Sequence, residues 1–157
     1  MTKRQALVKD LMQIMQTIRK ENGYKTDCGE VVVHWIPKVI PEQDAELINV
    51  KDSESEYTDR FKGNQHNPKL LVIFEVACAM GTVEASYLNL TNQQADINLC
   101  IGKNLDFLRG KYGELKIDPV HDDVNIEIYD HVVAEGSVSL TFEYSTNKWL
   151  KDEPEYN

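Results

Sequence analysis

Residues Lys69 to Met80 read KLLVIFEVACAM, and the fold turns on how this stretch is read. Apolar side chains occupy both parities except at Glu75, the pattern of a central β-strand covered on both faces. Its apolar run is too short to span a bilayer as a helix. Upstream, Val31 to Ile36 is β-branched and aromatic, and Pro37 ends that run. Pro41 breaks the chain again, and Ala45 to Val50 reads as a short second strand. Asp52 to Asn67 is polar, with Tyr57 and Phe61 as its large apolar residues, and reads as a long loop. The N-terminal segment, Lys3 to Glu21, places Leu7, Leu11, Ile14 and Ile18 on one helical stripe, and Asn22-Gly23 supplies a stop.

Downstream, Gly81 to Asn89 reads as a connection. Thr91 and Gln94 have capping-box spacing, which predicts a helix from there to Arg109, striped by Ile97, Ile101, Leu105 and Leu108. Gly110 follows as its stop. Leu115 and Ile117, then Val124, Ile126 and Ile128, predict two short strands. Val138, Leu140, Phe142 and Tyr144 then alternate with Ser137, Ser139, Thr141 and Glu143 in a closing strand. The element order predicts an α+β domain over residues 1–150, a mainly antiparallel sheet with two helices packed on one face. Residues 151–157 form an acidic tail.

With 157 residues, one domain of this length buries enough surface to fold without disulfide or metal staples. Seventeen Lys and Arg stand against 26 Asp and Glu, a formal charge of −9, which disfavours nonspecific nucleic-acid binding and an anionic membrane as partner. Cys28, Cys78 and Cys100 form no CxxC pair and suit a reducing cytoplasm as free thiols. The first residues lack the apolar core of a secretory signal. There is no GxxxxGK[ST], GxGxxG or GxSxG. His121-Asp122-Asp123 and Asp130-His131 lie at opposite ends of one predicted strand, roughly 20 Å apart, too far to share a metal ion. Cys78 and Cys100 read as core thiols, Cys28 as a more exposed one. Neither a cofactor nor a metal is expected. Glu75, alone in its apolar strand, reads as the partner of an Arg or Lys on a helix or a neighbouring subunit.

Charge is segregated along the chain. Residues 1–28 carry six basic and three acidic residues, a net of +3. Residues 42–59 and 114–135 each carry seven acids and one base, a net of −6 apiece. Such segregation either marks a solvated face or supplies two complementary ends for head-to-tail assembly.

The stripe Leu7/Leu11/Ile14/Ile18, the strand Leu70 to Ala77, the helical Ala95-Asp96-Ile97-Asn98 and the closing strand Gly136 to Tyr144 together suggest a family. In that order, over nearly the whole chain, they resemble the tail-terminator (tail-completion) and minor tail proteins of long-tailed bacteriophages. The resemblance implies a structural, non-enzymatic virion protein, assembled in the host cytoplasm. It would be a homohexameric ring that caps the tail tube, stops its polymerisation and meets the head-tail connector protein. DNA would pass through the lumen without specific binding, past an acidic wall. Under this reading the polar stretch supplies the contact with the tail tube protein or a neighbouring subunit. The residues concerned are Asp52, Glu54, Glu56, Tyr57, Arg60, Phe61 and Lys62. Two other classes compete: a small enzyme using Glu75 with a histidine such as His34, and an adaptor that dimerises through its sheet edge.

Overall fold

The computed structural model describes residues 1–57 and 65–147. Helix α1 spans Lys3–Met15 and is followed by a short 3-10 turn, Lys20–Asn22. Strands β1 (Val31–His34), β2 (Leu47–Tyr57), β3 (Gln65–His66) and β4 (Pro68–Cys78) follow. Helices α2 (Val83–Lys103) and α3 (Leu105–Tyr112) then precede β5 (Lys116–Ile128), β6 (Val132–Glu143) and β7 (Thr146–Asn147). Five strands form one sheet in the order β1-β2-β4-β6-β5, antiparallel except for the parallel β1–β2 pair. The β3 and β7 strands make a separate small ladder. The fold is therefore α+β with a mainly antiparallel sheet.

In β4, Leu70, Val72, Phe74 and Val76 point to the helices and are sealed from solvent. Register places Phe74 opposite both Val50 of β2 and Val138 of β6, and Leu70 opposite Phe142. On this face α1 contributes Leu7, Leu11 and Met15, and α2 contributes Leu90, Ile97 and Ile101. The other parity of β4, Leu71, Ile73 and Glu75, is only half-buried. The expectation of two fully covered faces is thus corrected. The chain between β1 and β2 crosses the outer face, with Val39 buried, and covers one part of it.

Five features differ from the sequence expectation. Helix α1 ends at Met15 rather than Glu21: Thr17 and Ile18 donate to Ile14 and Met15 in tighter i→i+3 turns, although Ile18 stays in the core. Residues 52–57 are not loop but the second half of β2, carried by pairing with β4 past a bulge between Asp52 and Ser55. Helix α2 begins eight residues before Thr91, with the Thr82 hydroxyl accepting from Ala85 N–H as N-cap. Gly110 lies inside α3, which makes three helices rather than two. The two short strands expected after Gly113 are one long β5 with a bulge between Pro119 and His121. The 151–157 tail lies outside the described residues.

Buried polar groups explain why α2 is hard to read from its sequence. Its inward stripe includes Ser86, Gln93, Gln94 and Asp96 among the apolar residues. Each bonds a neighbouring segment. Asp96 accepts from the N–H groups of Lys25 and Thr26 and from the Thr26 hydroxyl, anchoring the loop before β1. Gln93 donates to the Ala77 carbonyl. Gln94 donates to the carbonyls of Asp123 (2.7 Å) and Ser137 (3.1 Å), holding β5 and β6 to the helix. It can reach them because residue 136 is glycine: a Cβ there would stand 2.1 Å from the Asp123 carbonyl oxygen and 3.2 Å from Gln94 Nε2.

Gly136→Ala therefore forces β5 off β6. We expect it to lower unfolding free energy by about 2 kcal/mol or more, with Gln94→Ala costing about 1–3 kcal/mol through the orphaned carbonyls. Urea titration of the two variants checks both values. An unchanged midpoint for Gly136→Ala contradicts this packing.

Candidate functional site

Among the described residues the sheet has two open edges, and the two differ in character. At one, the four-residue β1 lies beneath α1. Asp52 of β2 joins the elements there: it accepts from Arg4 Nε at 2.9 Å on α1 and pairs with His34 Nε2 at 2.7 Å on β1. Burial pushes the Asp52 carboxyl up, but the bonds from His34 and Arg4 and the guanidinium charge outweigh it and hold it below the ordinary range. Beside this cluster runs a groove of about 270 Å³, lined by Arg4, Gln5, Val8, Lys9, Met12, His34 and Asp52. Its floor is apolar and its rim carries the basic residues of α1.

At the opposite edge, β5 is exposed along most of its length. Pro119 and the bulge interrupt the half nearer Lys116, a common defence of an open edge. Beyond Asp122 the strand is regular, with Val124, Ile126 and Ile128 on one side and Asn125 and Glu127 on the other. The hairpin turn after Ile128 presents Tyr129, which at 77% exposure is the most exposed large apolar side chain among the described residues. Four strand spacings, roughly 19 Å, separate the two edges.

This arrangement shows where the segregated charges sit. The +3 segment places Arg4 and Lys9 of α1 beside β1, and four of the seven acids of 114–135, Asp118, Asp122, Asp123 and Glu127, stand on β5. The acids of 42–59 are split. Asp52 is neutralised by Arg4, while Glu42 pairs with His131 beside the hairpin turn. That hydrogen bond holds the Glu42 carboxyl below its ordinary range.

Of the residues expected to form the tube or subunit contact, Asp52 and Glu56 stand in β2, and Glu56 is exposed opposite Lys69. The loop assignment fails for them because β4 supplies a backbone partner that polarity does not reveal. The side chains of Glu54 and Tyr57, and the whole of Arg60, Phe61 and Lys62, lie outside the described residues. Glu75 meets its cation within the chain: Lys51 Nζ of the adjacent strand is 3.0 Å from Oε1, and Asn49 donates to the same oxygen at 2.7 Å. Neither a helix nor a second subunit is needed to pair it.

Glu75 lies on the outer face with Asn49 and Lys51, whereas His34 and Asp52 lie on the helix side. The structure thus separates the carboxylate and imidazole that the enzyme reading would pair. A second cavity of about 300 Å³ under the β1–β2 crossover gathers Lys38, Glu75, Asp123 and Glu135. No group of three His, Cys, Asp or Glu suited to a metal ion occurs among the described residues. Cys28 reads from sequence as a more exposed thiol than Cys78 and Cys100, but it is 1% accessible and belongs to the core as they do. Burial pushes its thiol up to about 12, and it raises the other two as well.

Sequence reasoning also missed Trp35, which follows β1 at φ +68°. That left-handed backbone costs a non-glycine residue ~1–2 kcal/mol. The indole is half-exposed, with Lys51 Nζ 5.2 Å from the ring centroid. A capping box of Thr2 and Gln5, with T-x-x-Q spacing, starts α1.

No helix among the described residues is long and apolar enough to cross a membrane. In comparisons with known proteins, no family model matches this chain and no curated protein matches it.

Two measurements follow from the site. Because the Asp52 carboxyl is depressed in the folded state, its contribution is full above the unfolded carboxylate pKa and is lost as pH falls through the folded one. Asp52→Asn is expected to cost about 1 kcal/mol near neutral pH, with the difference from wild type closing under acid. A pH series of denaturant midpoints checks the sign. The three thiols should stay unreactive toward a thiol-specific chromogenic reagent in the native protein and react on unfolding. Rapid native labelling of Cys28 would contradict its burial.

Proposed function

We propose that this chain is a structural protein of a bacteriophage tail, a tail terminator. In this reading it closes into a ring on the tail tube, halts tube polymerisation and offers its other side to the head-tail connector protein. One observation carries the reading: a single open sheet bears basic residues at its β1 edge and acidic residues at its β5 edge. Two different, complementary ends make a heterologous contact, and a heterologous contact repeated with a closing rotation makes a ring. Charge complementarity fixes the register and orientation of such a contact.

Other features support the same reading. The outer sheet face carries Asp118, Glu127 and Glu143, with Asp123 and Glu135 under the crossover, against Lys51, Lys69 and Lys116, and an acidic excess on a lumen wall would disfavour a hold on phosphates. The exposed side of α2 between Ala85 and Gly102 presents Tyr87, Leu88, Ala95, Asn98 and Leu99 without a charge, a surface suited to a protein neighbour. A second reading, an adaptor that dimerises symmetrically through the regular half of β5, rests on the unpaired backbone of that edge.

Particle mass separates the two. A ring of six copies has a mass of roughly 108 kDa, against roughly 36 kDa for the symmetric dimer. Light scattering with negative-stain microscopy reads this directly, alone and with tail tube protein of the same virus. We expect annular particles and tubes whose growth stops when the protein is added. Tubes that elongate unchanged, with no particle of this chain at their ends, would overturn the assignment.

A further inference from the structure

The tip of the β5–β6 hairpin and the groove beside α1 match each other in size, polarity and charge. Ile128 and Tyr129, 65% and 77% exposed, are the two most exposed large apolar side chains among the described residues. They protrude next to one another, with Glu127 before them and Asp130 after them. The turn is held in place: Tyr129 N–H donates to the His131 carbonyl, and the His131 imidazole is paired with Glu42. The tip is therefore presented in a set conformation, which limits the entropy lost when it docks.

The groove lies at the other edge of the sheet. Val8 and Met12 give it an apolar floor, and Arg4 and Lys9 stand on its rim with Gln5 and His34. Asp52 is the carboxylate in the lining, and Arg4 and His34 already occupy it. Its volume of about 270 Å³ falls below the ~300–1,000 Å³ of pockets for drug-sized ligands and suits one or two side chains. A bulky apolar pair flanked by two acids is what such a lining accepts.

From these two surfaces we infer that the occupant of the groove is the hairpin tip of a second copy of this chain, Ile128 and Tyr129 seated on Val8 and Met12, with Glu127 and Asp130 facing Lys9 and Arg4. The two surfaces lie on opposite edges of the molecule, so the contact is heterologous and leaves each copy with one free tip and one free groove. An aromatic anchor in an apolar pocket, ringed by charges, has the form of an interface hot spot. The inference rests on the ring reading and names the contact that would build it.

A complementation experiment on the full chain tests it. Ile128→Ser with Tyr129→Ser removes the knob and keeps the groove; Gln5→Glu with Lys9→Glu reverses the rim and keeps the knob. All four positions are exposed, and glutamate serves the α1 capping box as glutamine does. Circular dichroism and denaturant midpoints confirm that both variants fold. By analytical ultracentrifugation, each variant alone should self-associate roughly 30-fold or more weakly than wild type. Mixed, they should form a one-to-one pair and nothing larger, because one sound tip meets one sound groove. A charge exchange gives a second reading: Glu127→Lys weakens assembly, and adding Lys9→Glu to it restores part of the loss.

Wild type that stays monomeric at every concentration, a variant that assembles like wild type, or a mixture that stays monomeric would each overturn the contact. Rings that persist in both variants would overturn the contact while leaving the ring intact. Failure at the tube end, with complementation intact, would overturn the tail function and leave the contact.

Discussion

Phe74 stands between Val50 and Val138 across three adjacent strands, and all three side chains are sealed from solvent. This row, with Leu70, Val72 and Val76 buried on the same side of β4, fixes which face of β4 meets the helices. A one-residue slip would put Lys69, Leu71, Ile73 and Glu75 under α1 and α2 and bury an ion-paired carboxylate in the core. Because β4 is central, its register carries β2 and β6 with it, and β6 in turn places β5. The two sheet edges and all that they bear are set from this one row.

Polar contacts then adjust what the apolar row permits. Asp10 of α1 is buried, accepts from the Tyr112 hydroxyl and pairs with Lys111, which docks α3 onto the first helix. Asp96 holds the loop leading to β1, and Gln94 holds the outer hairpin through the opening left at Gly136. Each is a buried polar group satisfied by a distant segment, so each contributes through geometry that local sequence cannot display. The same logic applies at the β1 edge, where Asp52 draws Arg4 and His34 together and shapes one wall of the groove.

The outcome is an asymmetric molecule. Its helix layer covers one face of the sheet, a crossover covers part of the other, and among the described residues the edges differ, with Arg4 and Lys9 of α1 beside β1 and a row of acids on β5. The cationic helix and the acidic hairpin are too far apart to neutralise each other within one copy, since exposed charges beyond a Debye length of ~8 Å are largely screened. Their placement is informative only for an encounter with another molecule.

Local periodicity was enough to identify the α1 stripe, the alternation of β6 and the central position of β4, because a buried face repeats every 3.6 or 2 residues whatever lies opposite. It also located the charge blocks and the lone Glu75. It failed where a distant partner decides the outcome. The polar second half of β2 is strand because β4 pairs with it, and α2 begins at Val83 although its inward residues include glutamines and a serine. The partner of Glu75, the burial of Cys28 and the joining of hairpin tip and basic groove to opposite edges depend on contacts between residues far apart in the chain. Side-chain pattern was therefore determined by the sequence read alone, and side-chain company by the tertiary structure, because burial is a property of a residue's own face but pairing requires a second segment to arrive.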